Sequence, residues 1–263
     1  MMNPETIQFL LNLNHRFYTD FSSSFAATRR RIQPGVRRVL SGLPDSPADT
    51  WLDLGCGSGA LAVEWLQAGR QSAYFGVDFS KSLLEEAELA VSSLPGHERV
   101  SFSQVDLASP DWTRRLPGGF TGVLSFAVLH HLPSQEMRRR LVGEVSNLLP
   151  PGGRFFLSVW QFQNSPKLLA RRIAWEQAGL HFEDLEPGDT LLDWRAADTQ
   201  KAGNIGLRYV HQFRQDELVE LAQSAGFQVA ETYDSDGQGG RLGLYQVWVK
   251  LVGQLYSNTP TST

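Results

Sequence analysis

Apolar and polar positions change period several times along the chain. After Asn3-Pro4, apolar Ile7, Leu10, Leu11 and Phe17 recur at helical spacing. Asn is a natural cap there, and Pro suits the first turn of a helix. A serine-rich stretch over 21–31 ends in three arginines, and Pro34 opens a short helix over 35–40 that Gly42 closes. From Trp51 onward, short apolar runs alternate with helical patterns. The runs at 51–54, 73–77, 100–105, 122–127 and 154–160 read as strands. The segments 60–66, 82–92 and 135–149 read as helices, and Pro150-Pro151-Gly152-Gly153 as a tight turn. Strands alternating with helices predict an α/β fold with a doubly wound, mostly parallel sheet.

The alternation stops between 161 and 206, where few strands are evident despite Trp175 and Trp194. So long an irregular segment in a compact domain is usually functional. A helix over 214–225 and two strands over 227–233 and 242–251 then add an antiparallel end, giving seven strands. The expected organisation is an N-terminal helical cap (1–44), a cofactor-binding core (45–160), a substrate-facing insertion (161–206), a C-terminal helix and strands completing the core (207–256), and a disordered tail (257–263).

Composition narrows the class. Apolar residues make up 41% and charged residues 20% of 263, as in ordinary globular chains. A net charge of −4 argues against a protein held on nucleic acid by overall charge, though not against a local basic face. The single cysteine, Cys56, excludes an intramolecular disulfide and a cysteine metal cluster. No spacing suggests a metal site. The N-terminal residues lack a charged leader with an apolar run, and no stretch reaches membrane-spanning length, so a cytoplasmic protein without a membrane partner is expected.

The chemistry centres on Asp53-Leu54-Gly55-Cys56-Gly57-Ser58-Gly59, a strand running into three alternating glycines before a helix. Such a turn lets a ligand lie on the backbone. Gly57-x-Gly59-x-x-Ala62 with Asp78 downstream satisfies a dinucleotide fingerprint. Asp53 argues against it, because a pyrophosphate does not favour a carboxylate at its entrance, whereas a ligand with an ammonium does. Asp78 at the end of the second strand can accept ribose hydroxyls, and Asp106 after the third can accept an adenine amino group.

The motif resembles the first motif of the class I S-adenosylmethionine-dependent methyltransferases. A narrower resemblance covers nearly the whole chain. Residues 21–29, with Thr28-Arg29 and Pro34 downstream, are similar to the entry helix of the tRNA wobble-uridine family that methylates the carboxylate of 5-carboxymethyluridine. The similarity continues through 124–132, 148–153, Val159-Trp160, Pro187-Gly188-Asp189, Trp194, 208–213 and Glu217-Leu218. Departures fall at Gln33, at Phe79, and at Leu244-Tyr245-Gln246, where the family's Asn-Trp pair is missing.

The resemblance implies S-adenosylmethionine as cofactor, held by Arg29, Asp53, Gly55, Cys56, Gly57, Gly59, Asp78, Phe79, Asp106, Leu107 and Ala127. It implies a catalytic set of His130, His131, Arg208 and His211. Arg29 is equally a candidate for the cofactor's carboxylate or for the acceptor's. A carboxylate acceptor needs clamps and no base, since it is ionised at neutral pH. A hydroxyl or amine acceptor needs a base, which points at His130 or His131. Two other readings stay open: a small-molecule O- or N-methyltransferase with a histidine base, and a non-catalytic S-adenosylmethionine-binding regulator. If tRNA is the partner, arginines in 29–38, 138–140 and 171–172 should form a basic face. The sequence indicates no activating subunit.

Overall fold

Residues 2–21, 31–195 and 205–252 are described by the computed structural model. Its strands are β1 (Thr50–Leu54), β2 (Ala73–Asp78), β3 (Val100–Gln104), β4 (Gly122–Phe126), β5 (Arg154–Trp160), β6 (Arg172–Ile173), β7 (Asp189–Arg195), β8 (Ile205–His211), β9 (Phe227–Ser235) and β10 (Gly243–Lys250). The principal helices are α1 (Pro4–Asp20), α2 (Pro34–Gly42), α3 (Ala60–Gln67), α4 (Lys81–Val91), α5 (Gln135–Leu148) and α6 (Gln215–Ser224). Asn3 caps α1, its side chain accepting the Thr6 amide at 2.7 Å.

Seven strands form one sheet in the order β3-β2-β1-β4-β5-β10-β9. β1 to β5 pair in parallel, and β10 runs antiparallel to both β5 and β9. Both faces of its inner strands are covered, so β1, β4 and β5 are largely apolar, whereas the edge strands β3 and β9 carry polar residues. Leu52, Leu54, Val123, Phe155 and Leu157 face α5 and α6, where Leu141, Val145, Leu218 and Leu221 lie. Trp51, Leu124 and Phe156 face the opposite way, onto Val36 and Val39 of α2 and Leu61 and Trp65 of α3. Burying each such side chain contributes about 1.5–3 kcal/mol. β1 has β2 on one side and β4 on the other. The crevice beyond their carboxyl ends is therefore the switch point where doubly wound sheets bind ligands.

The insertion is more ordered than its sequence suggests. β6, β7 and β8 form a three-stranded antiparallel sheet. It takes in Ile205–His211, so the insertion expected to end at 206 runs on to His211. Alternation is hidden because both faces of this sheet are buried. Leu191 and Tyr209 pack with Leu10 of α1, and the adjacent Leu192 and Val210 pack with Phe162. The N-terminal helices also part company: α1 belongs with this small sheet, whereas α2 packs on the large one. Among the described residues no helix is long and apolar enough to cross a membrane. The expected tail, 257–263, lies outside the described residues.

Candidate functional site

A cavity of about 560 Å³ opens where the carboxyl ends of β1, β2 and β4 meet α1 and the small sheet. Its inner wall is the turn after β1. Gly55, Gly57 and Gly59 all have positive φ, at 70°, 54° and 76°, a region costly for residues with a Cβ. A Cβ on Gly55 would lie 2.4 Å from Val128, and one on Gly59 would lie 2.8 Å from the Cβ of Ala87. A Cβ on Gly57 meets nothing within 4 Å. Gly55 and Gly57 line the cavity, while the bare backbone of Gly59 makes room for α4. Gly59, expected as a cofactor contact, is not among the residues that line the cavity.

Four carboxylates line the same cavity, Asp53, Asp78, Asp106 and Asp236, the last accepting the Tyr245 hydroxyl at 2.6 Å and the Gly35 amide at 2.9 Å. Asp53 is 4% exposed and accepts a short hydrogen bond from the Tyr74 hydroxyl. Burial raises its carboxyl to about 7, against the downward pull of that bond and with a further push from Asp78. Asp78 accepts the Gly57 amide at 3.0 Å and the Ser80 amide at 2.9 Å. Burial nonetheless raises it above the usual carboxylate range. Each oxygen has accepted one amide, leaving lone pairs for ribose hydroxyls. Asp106 is more open, accepts the Ala108 amide at 2.9 Å, and has the His15 Nε2 3.7 Å away. The His15 ring stacks on Phe79 at 4.5 Å. Leu107 and Ala127 complete this wall, Ala127 with a φ of 59°. Burial, followed by the charges of Asp53 and Asp78, drives the Cys56 thiol well above its usual value, so it stays protonated and is no nucleophile.

The opposite wall comes from α1, β5 and the small sheet. Arg208 is 5% exposed and lines the cavity, with its guanidinium 4.5 Å from the Trp160 ring centroid and 5.3 Å from that of Phe17. The Tyr18 hydroxyl lies 2.7 Å from His131 Nε2, and His131 Nδ1 lies 3.2 Å from the Tyr209 carbonyl. Asn14 fastens this arrangement. Its amide nitrogen donates to the carbonyls of His131 and Tyr209, and its oxygen accepts the Tyr209 amide at 2.8 Å. Sequence reading missed Tyr18 and Asn14. The signal was present for Asn14, a polar residue in the buried stripe of Leu10, Asn14 and Phe17 on α1.

Two expected catalytic histidines point elsewhere. His130 is 1% exposed, outside the cavity lining, and its Nδ1 accepts the Trp160 amide at 3.2 Å. His211, also 1% exposed, is held between Asp189 and Glu217, each 2.8 Å from one ring nitrogen. Arg138 joins that network through Glu186 at 2.8 Å and the Leu132 carbonyl at 3.0 Å. It is therefore buried, not solvated as its Arg-Arg-Arg run suggests. Arg29 lies outside the described residues.

Burial pushes the His211 pKa down, but its hydrogen bonds to the two carboxylates outweigh this and raise it. Both ring nitrogens then donate, and the imidazolium ties β8 to α6. This contribution is complete below the unfolded value of about 6.5 and disappears as pH rises through the raised folded value. His211→Gln should cost roughly 3 kcal/mol or more by leaving a buried carboxylate poorly paired. Thermal unfolding followed from about pH 6 to 9 should lose the wild-type decline on the alkaline side.

A glycine cradle at the switch point, faced by buried carboxylates where a pyrophosphate would be repelled, suits an adenosine carrying a cationic amino acid. Residues 52–155 match the methyltransferase domain family. The chain belongs to the class I S-adenosylmethionine-dependent methyltransferases. A protein of Encephalitozoon cuniculi, named as a methyltransferase without a stated substrate, is 30% identical over 217 residues, covering 82% of this chain and 88% of that one. The tRNA (carboxymethyluridine(34)-5-O)-methyltransferase of Schizosaccharomyces pombe is 27% identical over 238 residues, covering 84% and 92%. Other curated relatives are longer, and the chain spans 36% of the mouse and human proteins among them.

Solved structures share the fold. A methyltransferase from Methanosarcina mazei superposes with a TM-score of 0.60 at 23% identity, covering 85% of this chain and all of that one. A glycopeptide N-methyltransferase with bound S-adenosyl-L-homocysteine gives 0.59 at 20% identity, covering 84% and 88%. The protein is a methyltransferase that uses S-adenosylmethionine.

Proposed function

We propose that this methyltransferase esterifies a carboxylate, that of 5-carboxymethyluridine in the wobble position of tRNA. The observation that carries the reading is Arg208, a guanidinium buried on the cavity wall and stacked over Trp160. A fixed planar cation beside an aromatic ring suits a planar base bearing an anion. The name of the Schizosaccharomyces pombe relative supports the same acceptor.

In this scheme Asp53 would hold the cofactor's ammonium, Asp78 its ribose hydroxyls, and Asp106 with Leu107 its adenine. The cofactor supplies an electrophilic methyl group on a sulfonium. Arg208 would pair with one acceptor oxygen and leave the other aligned with that methyl. The acceptor is ionised above about pH 5, so no side chain need remove a proton. His131 is in any case committed on both ring nitrogens, to Tyr18 and to Tyr209.

For tRNA, the basic face is smaller than the sequence suggests. Arg37 and Arg38 pair with Glu64 and Glu231, and Arg138 is buried. Arg140 donates to the Ala108 carbonyl, while Arg31 and Arg171, which line the cavity, the nearby Arg172 and the exposed Arg139 remain as candidate phosphate contacts.

The test is methyl transfer from labelled S-adenosylmethionine to tRNA carrying 5-carboxymethyluridine, beside a panel of small carboxylic acids, phenols and amines. Transfer should appear on the modified tRNA, with affinity falling as salt rises. Turnover should show no limb that rises with pH between about 6 and 8. Transfer to a phenol or amine with such a limb, lost in His131→Ala, would replace this reading with the small-molecule one.

A further inference from the structure

We propose that Asp236 reads the methyl acceptor, taking a hydrogen-bond donor of the acceptor nucleoside, either the imide N–H of its base or a hydroxyl of its ribose. The inference rests on the carboxylate reading above and adds a second contact to it. Asp53 on β1, Asp78 at the end of β2 and Asp106 after β3 all lie on one side of β4. Asp236 follows β9 on the other side, where β10 runs beside β5. Its carbonyl accepts the Leu242 amide at 3.1 Å, and the Leu242 carbonyl accepts the Gln161 amide at 2.8 Å. Gly243 pairs with Trp160, the ring over which the Arg208 guanidinium lies. Asp236 and Arg208 therefore join the cavity lining near the end of β5, away from the adenosine carboxylates.

The Asp236 carboxylate is pinned in place. Its backbone has a φ of 68°, a region that costs residues with a Cβ and that aspartate and asparagine tolerate best. The Gly35 amide, in the first turn of α2, donates to Oδ1 at 2.9 Å, and the Tyr245 hydroxyl donates to Oδ2 at 2.6 Å. Burial, and then the bond to Asp236, push the Tyr245 hydroxyl well above its usual value, so it stays the donor. Two glycines make room for the group. A Cβ on Gly243 would lie 2.8 Å from Oδ2, and one on Gly35 would lie 2.4 Å from the Tyr245 ring. Asp236 is only half-buried, and each oxygen keeps a lone pair for a ligand in the cavity. Strain held by such surroundings is a mark of a working site. The corner is also where the sequence leaves the family it resembles, since Gln33 caps α2 and Tyr245 holds Asp236. Charge then sets the acceptor's orientation. Asp236 repels the acceptor's own carboxylate, which goes to Arg208, and attracts an N–H or O–H edge.

The experiment measures kcat/KM for methyl transfer to an anticodon stem–loop RNA carrying 5-carboxymethyluridine and to two analogues of it. One analogue is methylated on the imide nitrogen of that base, and the other has 2′-deoxyribose at that nucleotide. The wild type should disfavour one analogue by roughly 10- to 100-fold, as loss of a hydrogen bond to a charged group does, and the analogue concerned identifies the donor. Asp236→Asn keeps the shape and tolerates the positive φ. It should lower kcat/KM for the parent RNA by a similar factor and reduce the discrimination to about twofold or less. Affinity of the variant for S-adenosylhomocysteine should stay within about threefold of the wild type, which also shows that it is folded. Equal use of all three RNAs by the wild type, discrimination that survives in Asp236→Asn, or collapse of cofactor affinity in the variant overturns the proposal. If the parent RNA is methylated while one of these results is obtained, the carboxylate reading stands and the role of Asp236 alone is wrong. If the parent RNA is not methylated at all, the carboxylate reading falls and this inference falls with it.

Discussion

Asp53→Asn should weaken S-adenosylmethionine binding by roughly 2–4 kcal/mol at pH 8, a factor of about 30 to 1,000. The same change should stabilise the cofactor-free protein at that pH. The two signs share one cause. Burial raises the Asp53 carboxyl to about 7, well above its unfolded value, so ionisation above pH 7 works against folding. Asparagine keeps the shape and can still accept the Tyr74 hydroxyl, and it carries no charge to desolvate. In the proposed scheme the ammonium of the cofactor needs that charge. Wild-type affinity should consequently fall as pH drops below about 7, up to tenfold per unit, because Asp53 must lose a proton before it can pair. Titration calorimetry from about pH 5.5 to 8.5, with unfolding of both proteins in the same buffers, reads both effects. Unchanged cofactor affinity in Asp53→Asn would remove Asp53 from the site.

Arg208→Ala is expected to lower kcat/KM for the carboxylate acceptor by roughly 100-fold or more, as loss of one partner of a buried charge pair does. Arg208→Lys should recover only part of this. A lysine restores charge without the planar fork that lies over Trp160. Cofactor affinity should move far less than acceptor kinetics, because Arg208 belongs to the wall opposite the glycine turn. If the alanine variant only lowers Tm and leaves kcat/KM for acceptor intact, Arg208 is a packing cation. The acceptor clamp would then have to be sought elsewhere.

The large sheet was legible almost strand by strand, because its inner strands, buried on both faces, are near-continuous apolar runs ended by turns, and its edge strand β3 alternates apolar and polar residues. Ala127 shows the residual error: read as the last residue of its strand, it leaves the strand with a φ of 59°. The glycine turn, Asp53, Asp78 and Asp106 were legible for a related reason. Their chemistry follows from place in the chain, at the ends of consecutive parallel strands. The small sheet was not, since Leu191-Leu192 reads as a pair and gives no sign that its two side chains enter different cores.

The histidines fared according to what decides their orientation. His130 and His131 sit on one 3-10 turn, and only the arrival of α1 distinguishes them. His211 follows an arginine and an aromatic pattern that resembles an acceptor site. Its carboxylate partners, Asp189 and Glu217, come from separate elements that no local spacing relates. Tyr18 passed as one more position on an amphipathic helix. Its role depends on a residue 113 positions away.

The Asn14 clasp has a consequence for how the molecule is made. The carbonyl and amide of Tyr209 that Asn14 grips lie 195 positions later in the chain. At ~5–20 residues per second, α1 waits about 10–40 s on the ribosome for its docking strand. Throughout that interval its apolar stripe has no permanent home. The cofactor core from β1 to β5 can collapse on its own meanwhile, since each strand pairs with one made shortly before or after it. The newborn protein therefore acquires the cofactor wall of its cavity early and the acceptor wall last.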